Sequence, residues 1–395
     1  MTTSTSAARE LRSRLPRIAG ENYFEIELNQ LSDSDIEKLD NVIASYGYWG
    51  ELAGMSQVSR QRFVKEKCAR SLRSVVLTLF DQEAIRKQIG EVFANAERDR
   101  GTSYSGFVKV LALGASGYQP SFKEMCEILG VTFANKFLTR DGGWTSEFFE
   151  QRNGRQVVKS SIFAQYLLRN FVSDRDVMDH MVELVEDLDK KAEGNPLLRK
   201  MRTFPLRFSF IERLLDDDGK RVKLVEFYET VRSRGIGTRN PQFWLQYAIA
   251  RMSFKDYRNA GVYFDTAFSL SERMTNYDDY QIKNHYARYL LESSIEKAIN
   301  LDPVEVFSRA HEILVDQIEG KSEGHYPYRV AQKYLDFIEA KEEAFDSEAI
   351  VQFDIACTQI LGFIADLSQE MRRDRYVSRC RERLKVARDF VADLM

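Results

Sequence analysis

Cysteine and histidine, the residues most able to hold a metal or to act as nucleophile and base, are few and widely spaced. The cysteines and histidines are Cys68, Cys126, Cys357, Cys380, His180, His285, His311 and His325. A zinc site needs three or four such side chains close together, and no spacing here is typical of one. The stretch His311–Val315 begins like a zinc-protease motif but has valine where the second histidine belongs. We therefore predict no metal site, and the isolated cysteines indicate a reducing compartment.

Phosphate and nucleophile motifs are absent from the sequence as well. There is no GxxxxGK[ST] loop and no GxSxG turn. The segment Gly114–Gly117 lacks the lysine of a phosphate loop and predicts a helix end. The segment Asp216–Gly219 has its glycine fourth instead of sixth, so it indicates a solvated loop and not a calcium loop. We predict no cofactor and no catalytic residue; an enzyme site completed by another chain is the remaining alternative.

Composition indicates a globular, mostly helical protein. The chain has 395 residues, 44% of them hydrophobic, with only 21 Gly and 7 Pro. Its 57 basic and 60 acidic residues give a net charge of −3, which does not fit a general nucleic-acid coat. The polar start is no secretory signal, and no apolar run approaches the roughly 20 residues of a membrane span. We expect about two or three domains, no membrane contact and a cytoplasmic location.

The N-terminal part predicts a small helical unit with one strand. Residues 1–20 are polar and predict a flexible N-terminus. Residues 21–103 predict a lid-like helical domain, in which Tyr23–Leu28 alternates apolar and acidic side chains as a half-buried strand does. Ser32, followed three residues later by Asp35, predicts a capping box. Because no strong second strand follows nearby, the partner of this strand lies far along the chain or in another chain.

Residues 104–173 show the element order of a winged helix, namely three helices and a hairpin. Ser121 and Glu124 predict the start of a short helix, and Asn153–Gly154 is the strongest signal for a tight hairpin. A recognition helix that reads DNA needs a row of basic and amide side chains, whereas the helix near 121–129 carries two glutamates and one lysine. We therefore expect a protein-packing winged helix and not a DNA reader.

Residues 174–395 predict helical hairpins that resemble tetratricopeptide repeats. Asn240 before Pro241 and Asp302 before Pro303 each predict a capped helix start. The unit that begins at Pro241 has aromatic and small residues at the repeat spacing. These structural repeat positions are Trp244, Ala248, Ala260, Phe264 and Ala267. Stacked hairpins form an α-solenoid with an open wall that binds protein segments. The alternative is an irregular helical bundle in which the same residues are ordinary core.

Two groups of residues are candidates for partner binding. Exposed aromatic side chains on the repeat wall would act as anchors, and our candidates are Tyr247, Tyr257 and Tyr286. The final helical stretch is rich in arginine, and its basic-patch candidates are Arg372, Arg373, Arg375, Arg379 and Arg383. Such a patch is either a solvated helix face or a contact for an acidic partner or a nucleic-acid backbone.

Three parts of the chain together resemble the region that follows the nucleotide-binding core in bacterial STAND-type P-loop NTPases of antiphage defence. They are Phe24–Leu28 with Leu31–Ile36 and Tyr46–Leu52, then 104–172, and then Leu206–Glu229 with Asn240–Ala250 and Asp279–Arg288. The resemblance implies a helical lid, a winged helix and a tetratricopeptide-like sensor. Because the Walker A lysine is missing, ATP hydrolysis does not carry over to this chain.

The resemblance implies a non-catalytic sensor or scaffold module of a defence system. Its partner would be a phage protein or an NTPase or effector subunit, in an assembly that includes oligomers. The alternative function is a nucleic-acid-associated regulator that uses the winged helix and the basic C-terminal helix.

Overall fold

The computed structural model describes the greater part of the chain. The described residues are 31–98, 102–118, 122–129, 149–152, 155–158, 160–191, 198, 201–320 and 324–394. The predicted flexible N-terminus, the predicted strand Tyr23–Leu28 and the predicted turn Asn153–Gly154 lie outside these residues. Within them the protein is mainly helical, as the composition predicts.

The N-terminal helices enclose a small core of their own. They are α1 (Asp33–Ser45), α2 (Gln57–Glu66) and α3 (Leu72–Phe80), with a 3-10 turn at Gly50–Gly54. The core residues of this unit are Ile36, Ile43, Trp49, Val64, Cys68 and Val75. The capping box predicted at the start of α1 is confirmed. Ser32 Oγ accepts from the Asp35 amide at 3.2 Å, and Asp35 Oδ2 accepts from the Ser32 amide at 3.0 Å.

The middle of the chain joins a second, larger core that continues to the C-terminus. Its elements are α4 (Glu83–Arg98), α5 (Thr102–Ala115), α6 (Phe122–Leu129), β1 (Phe149–Arg152), β2 (Arg155–Val158), α7 (Ser161–Phe171) and α8 (Asp174–Lys191). Helix α5 packs against α7 and α8. Ile89 and Phe93 of α4 belong to this larger core and not to the N-terminal one.

The described residues do not establish the predicted winged helix. The two strands pair antiparallel, with Phe149 opposite Val158. The segment 130–148, which would connect α6 to this short ladder, lies outside the described residues. The fold class is therefore confirmed only as mainly helical.

The C-terminal half is a succession of helices. They are α9 (Phe208–Leu214), α10 (Lys220–Ser233), α11 (Pro241–Ser253), α12 (Tyr257–Glu272), α13 (Tyr280–Ile295), α14 (Pro303–Gly320), α15 (Tyr326–Ala331), α16 (Tyr334–Lys341), α17 (Ser347–Asp366), α18 (Gln369–Arg373) and α19 (Arg375–Ala392). Both predicted proline starts are confirmed. Asn240 Oδ1 accepts from the Gln242 amide at 3.0 Å, and Asp302 Oδ1 accepts from the Val304 amide at 2.7 Å.

Helices α11 and α12, which carry the predicted repeat positions, pack against each other. Ala248, Ala260 and Ala267 are fully buried, and Phe264 is fully buried beside them. Small side chains allow the two helix backbones to approach closely, while the aromatic ring fills the remaining space. Trp244 is half-buried, and its indole N–H donates to the Thr238 carbonyl at 2.8 Å.

Within the described residues, α17 alone has the length and composition of a membrane-spanning helix, with a mean hydropathy of 1.4. This corrects the expectation that no segment approaches that length. Length and composition do not distinguish such a span from a core helix, and α17 packs here against α14 and α19. Its Asp354 pairs with Arg388 of α19 at 2.6 Å.

Candidate functional site

Two of the predicted aromatic anchors lie inside the protein. Tyr247 is 0% exposed and Tyr257 is 5% exposed, so the prediction that they are exposed is wrong. The ring of Tyr247 is stacked between Tyr228, at 4.9 Å, and Tyr263, at 4.3 Å. Its hydroxyl contacts Glu229 and accepts a hydrogen bond from Arg251 at 2.7 Å. These rings stabilise the packing between helices instead of offering a surface to a partner.

Tyr286 is half-buried and has partners on both sides. It is stacked on Tyr289, with ring centroids 5.7 Å apart, and its edge meets Phe264 and Phe268. The guanidinium of Arg309 lies 5.3 Å from the ring centroid of Tyr286. An aromatic residue at repeat spacing serves equally well as core or as anchor, which is why the sequence pattern could not separate the two roles.

The predicted basic patch divides into two parts. Arg379 and Arg383 of α19 line a cleft, and Arg375 lies at its edge, with its guanidinium 4.5 Å from the ring centroid of Tyr376. Arg372 and Arg373 are exposed on α18 and do not line the cleft. The structure thus places Arg383 and the exposed Arg379 at the cleft and leaves Arg372 and Arg373 outside it.

This cleft, which we call the basic cleft, has a volume of about 510 Å³. It lies where α13, α15, α16 and α19 meet, since α13 packs against α15 and α16 and both of these pack against α19. Its lining residues are Asn284, His285, Arg288, Glu292, Tyr326, Arg329, Val330, Gln332, Lys333, Asp336, Tyr376, Arg379 and Arg383. A volume of this size falls in the range of ligand pockets.

The lining of the basic cleft carries a surplus of positive charge. Five lining residues are arginine or lysine and two are carboxylates, which leaves three unbalanced positive charges. Burial and the nearby charges of Arg288 and Arg329 lower the pKa of His285 to about 4, so this imidazole is neutral at pH 7. A concave surface with one sign of charge focuses the electrostatic field and attracts ions of the opposite sign.

The two carboxylates hold three of the five cations. Glu292 pairs with Arg288 and with Lys333, each at 2.9 Å, and Asp336 pairs with Arg383 at 2.6 Å. Burial acts to raise the pKa of Glu292, but the hydrogen bonds and charges of its two cationic partners outweigh this effect and lower it. Glu292 is therefore ionised at neutral pH and fixes the cations on α13 and at the start of α16.

The remaining two cations, Arg329 and Arg379, have no carboxylate partner among the described residues. The side chain of Arg329 is restrained, because its guanidinium lies 5.1 Å from the ring centroid of Tyr376. Such a cation–π contact orients a guanidinium while leaving its N–H donors available. The basic cleft therefore presents two arginine side chains whose hydrogen-bonding capacity the described part of the protein does not use.

Asn284 adds an unusual polar group to the base of the cleft. The residue is 4% exposed, and its amide Nδ2 donates to the Tyr280 carbonyl at 2.8 Å and to Gln317 Oε1 at 3.2 Å. These two bonds fix the amide orientation and leave Oδ1 as a buried acceptor without a hydrogen-bond partner in the described structure. Because Oδ1 has almost no solvent-accessible surface, a ligand in the open cleft does not reach it, so this atom is a buried acceptor of the fold and not a ligand contact.

Hydrogen bonds from side chains to the backbone connect the helices that form the walls of the cleft. Gln332 Nε2 donates to the Tyr376 carbonyl at 2.9 Å, and Arg383 Nε donates to the Gln332 carbonyl at 2.7 Å. Helix α19 is thereby tied to the turn between α15 and α16. The fold therefore fixes the backbone position of Arg379 relative to α13.

Sequence reasoning missed the residues that α13 and α15 contribute. Asn284, Arg288 and Glu292 follow one another at i, i+4 spacing and lie on one face of α13, a stripe that periodicity could have revealed. Arg329 and Lys333 have the same spacing. Nothing in the sequence, however, indicates that these stripes face the arginines of α19.

Within the described ranges, no group of three or more His, Cys, Asp or Glu side chains is placed to hold a metal ion. No protein-family model matches the chain, and neither a curated protein nor a solved structure matches it. Within the described residues, the basic cleft is therefore the feature that bears most directly on function.

Proposed function

We propose that the chain is a non-catalytic recognition module that binds an acidic segment of a partner protein in the basic cleft. The observation that carries this proposal is the pair of arginines, Arg329 and Arg379, that line a concave site without carboxylate partners in the described structure. A ligand carboxylate would give them charge-assisted hydrogen bonds.

The size and chemistry of the cleft favour a short segment over an extended polymer. A volume of about 510 Å³ accommodates a few side chains. The rims carry aromatic groups, with Tyr326 45% exposed, and such rings give apolar contact at little entropic cost.

The wider role belongs to the same proposal. We propose that residues 174–395 form a tetratricopeptide-like solenoid, that residues 104–173 form a winged helix, and that the module serves a STAND-like defence system. The close packing of α11 on α12 through alanines supports the first point. The defence role rests on the sequence segments that resemble such proteins.

Fluorescence anisotropy with a labelled oligoglutamate peptide tests the proposal. We expect saturable binding that weakens as salt is added, because screening acts on charge-dominated contacts. Arg379→Glu should weaken binding by about tenfold or more, since it replaces an attraction by a repulsion. Arg372→Glu is the matched control, because it makes the same charge change on the neighbouring α18 outside the cleft.

Two outcomes would overturn the proposal. Equal loss of affinity in the two variants would mean that the peptide responds to general charge and not to the cleft. Tighter binding of a single-stranded oligonucleotide, lost in Arg372→Glu with Arg373→Glu, would favour the nucleic-acid alternative, for which the two exposed arginines of α18 are the supporting observation.

A further inference from the structure

We infer that the anion accepted by the basic cleft is a phosphate monoester on a protein segment. This inference rests on the proposed function and specifies its ligand. It is argued from two features of the cleft, namely its charge surplus and the arrangement of its arginines.

The charge surplus exceeds what one carboxylate can balance. Five cations and two carboxylates leave three positive charges around a single cleft. An aspartate or glutamate side chain would neutralise one of them, whereas a phosphate monoester carries a charge of about −1.5 to −2 at pH 7. A single phosphate group therefore balances more of the surplus than any single ordinary side chain.

The donors that line the cleft come from separate elements. Arg329 is on α15, Arg379 is on α19, and Lys333 lies at the start of α16. A carboxylate has two oxygens in one plane, which suit one guanidinium. A phosphate has three terminal oxygens in different directions, which can accept from two guanidiniums and an ammonium at once.

The ring of Tyr376 lies against both a cleft arginine and an edge arginine. The guanidinium of Arg329 is 5.1 Å from the ring centroid, and that of Arg375 is 4.5 Å from it. These contacts restrict the rotamers of the two side chains before any ligand arrives, so less conformational entropy is lost on binding.

Isothermal titration calorimetry on the full chain separates the ligand classes. The probes are three peptides of one sequence that carry phosphoserine, glutamate or serine at the central position, together with inorganic phosphate. We expect the phosphoserine peptide to bind about tenfold or more tighter than the glutamate peptide, and inorganic phosphate to bind more weakly than either.

Two charge-reversal variants test the same inference. Arg379→Glu should abolish the preference for phosphoserine, whereas Arg372→Glu should leave it within about twofold. Circular dichroism of both variants checks that they fold alike.

Each of the remaining possible results contradicts a different claim. Equal affinity for the phosphoserine and glutamate peptides overturns the phosphate inference and leaves the proposed function standing. Inorganic phosphate that binds as tightly as the phosphopeptide overturns the claim that the ligand is a protein segment. No binding of either charged peptide overturns the proposed function together with this inference.

Discussion

Gly261 of α12 lies against the side chain of Tyr289 on α13, and substituting it should show how tightly this interface is packed. A Cβ atom added at Gly261 would lie 2.5 Å from the hydroxyl oxygen of Tyr289 and 3.2 Å from its Cζ. Ordinary contact begins at 3.4 Å, so the hydroxyl would have to move by about 0.9 Å. Tyr289 is 7% exposed and packed against Phe264 and Tyr286, which leaves it little room to move.

The expected cost follows from two opposing effects. Overpacking a well-filled site costs about 1–3 kcal/mol. Replacing glycine by alanine inside a helix gains up to about 1 kcal/mol, which partly offsets that cost. Gly261→Ala should therefore lower the free energy of unfolding by about 1 kcal/mol. Gly362→Ala is the matched control, because Gly362 lies within α17 with nothing within 4 Å of the added Cβ, so it should be stabilising.

Urea unfolding followed by far-UV circular dichroism compares the variants. The Gly261→Ala midpoint should fall below that of the unmodified protein, while the Gly362→Ala midpoint should rise. Tyr289→Phe, combined with Gly261→Ala, removes the atom that clashes and should recover part of the loss. If Gly261→Ala proved as stable as Gly362→Ala, the close approach of α12 to α13 would not exist as described.

Three further predictions concern the cleft and the buried rings. Glu292→Gln removes the carboxylate shared by two cations and should destabilise the fold by about 1–3 kcal/mol. It should nevertheless tighten oligoglutamate binding, measured by anisotropy, because the charge surplus of the cleft rises from three to four. Weaker binding would contradict the role given to the charge surplus. Tyr247→Phe should lower the unfolding midpoint, through loss of about 1–2 kcal/mol of hydrogen bonding, and leave peptide affinity unchanged; a change in affinity would mean that the ring contacts the ligand. The pKa of His285 is lowered in the folded protein, so its contribution to stability is present above pH 6.5 and is lost as pH falls towards about 4. His285→Gln should therefore flatten the dependence of the urea midpoint on pH between pH 6.5 and about 4. An unchanged pH dependence would contradict the lowered pKa of His285.

Helix starts could be predicted because their signals are local. Ser32, Asn240 and Asp302 each bond to an amide two or three residues ahead, so the caps are written in consecutive residues. The small residues of the α11–α12 hairpin were predictable for a related reason. Their spacing is set by helix geometry, and the two helices are joined by a short turn through Lys255, whose φ is +59°.

The basic cleft could not be predicted because it is assembled across long sequence separations. Asn284 and Arg379 are brought together by the packing of α13, α15, α16 and α19, and no local pattern encodes that packing. The predicted arginine run contained the correct α19 residues, but it also contained Arg372, which faces solvent. A run of basic residues in a sequence does not show which of their side chains line a concave site, so only the structure identifies the cleft.

The burial of Tyr247 was missed for a different physical reason. An aromatic ring in a stacked hairpin can face the neighbouring hairpin or the solvent at the same spacing, and the choice depends on what precedes it in space. Here Tyr228 of α10 supplies a ring for Tyr247 to stack on, with the two planes 11° apart. A residue in a preceding helix therefore decided whether this tyrosine became core or surface.

The contrast between the whole chain and the cleft also bears on which partner is favoured. The chain has a net charge of −3, whereas the basic cleft carries a surplus of three positive charges. Charges farther away than the Debye length, about 8 Å at physiological ionic strength, are largely screened from a ligand seated in the cleft. A long polyanion extends beyond the cleft, where the exposed Arg372 and Arg373 of α18 are available to it, while a short acidic or phosphorylated segment contacts the cleft alone. Dependence of binding on Arg372 and Arg373 therefore separates a nucleic acid from a compact anionic segment.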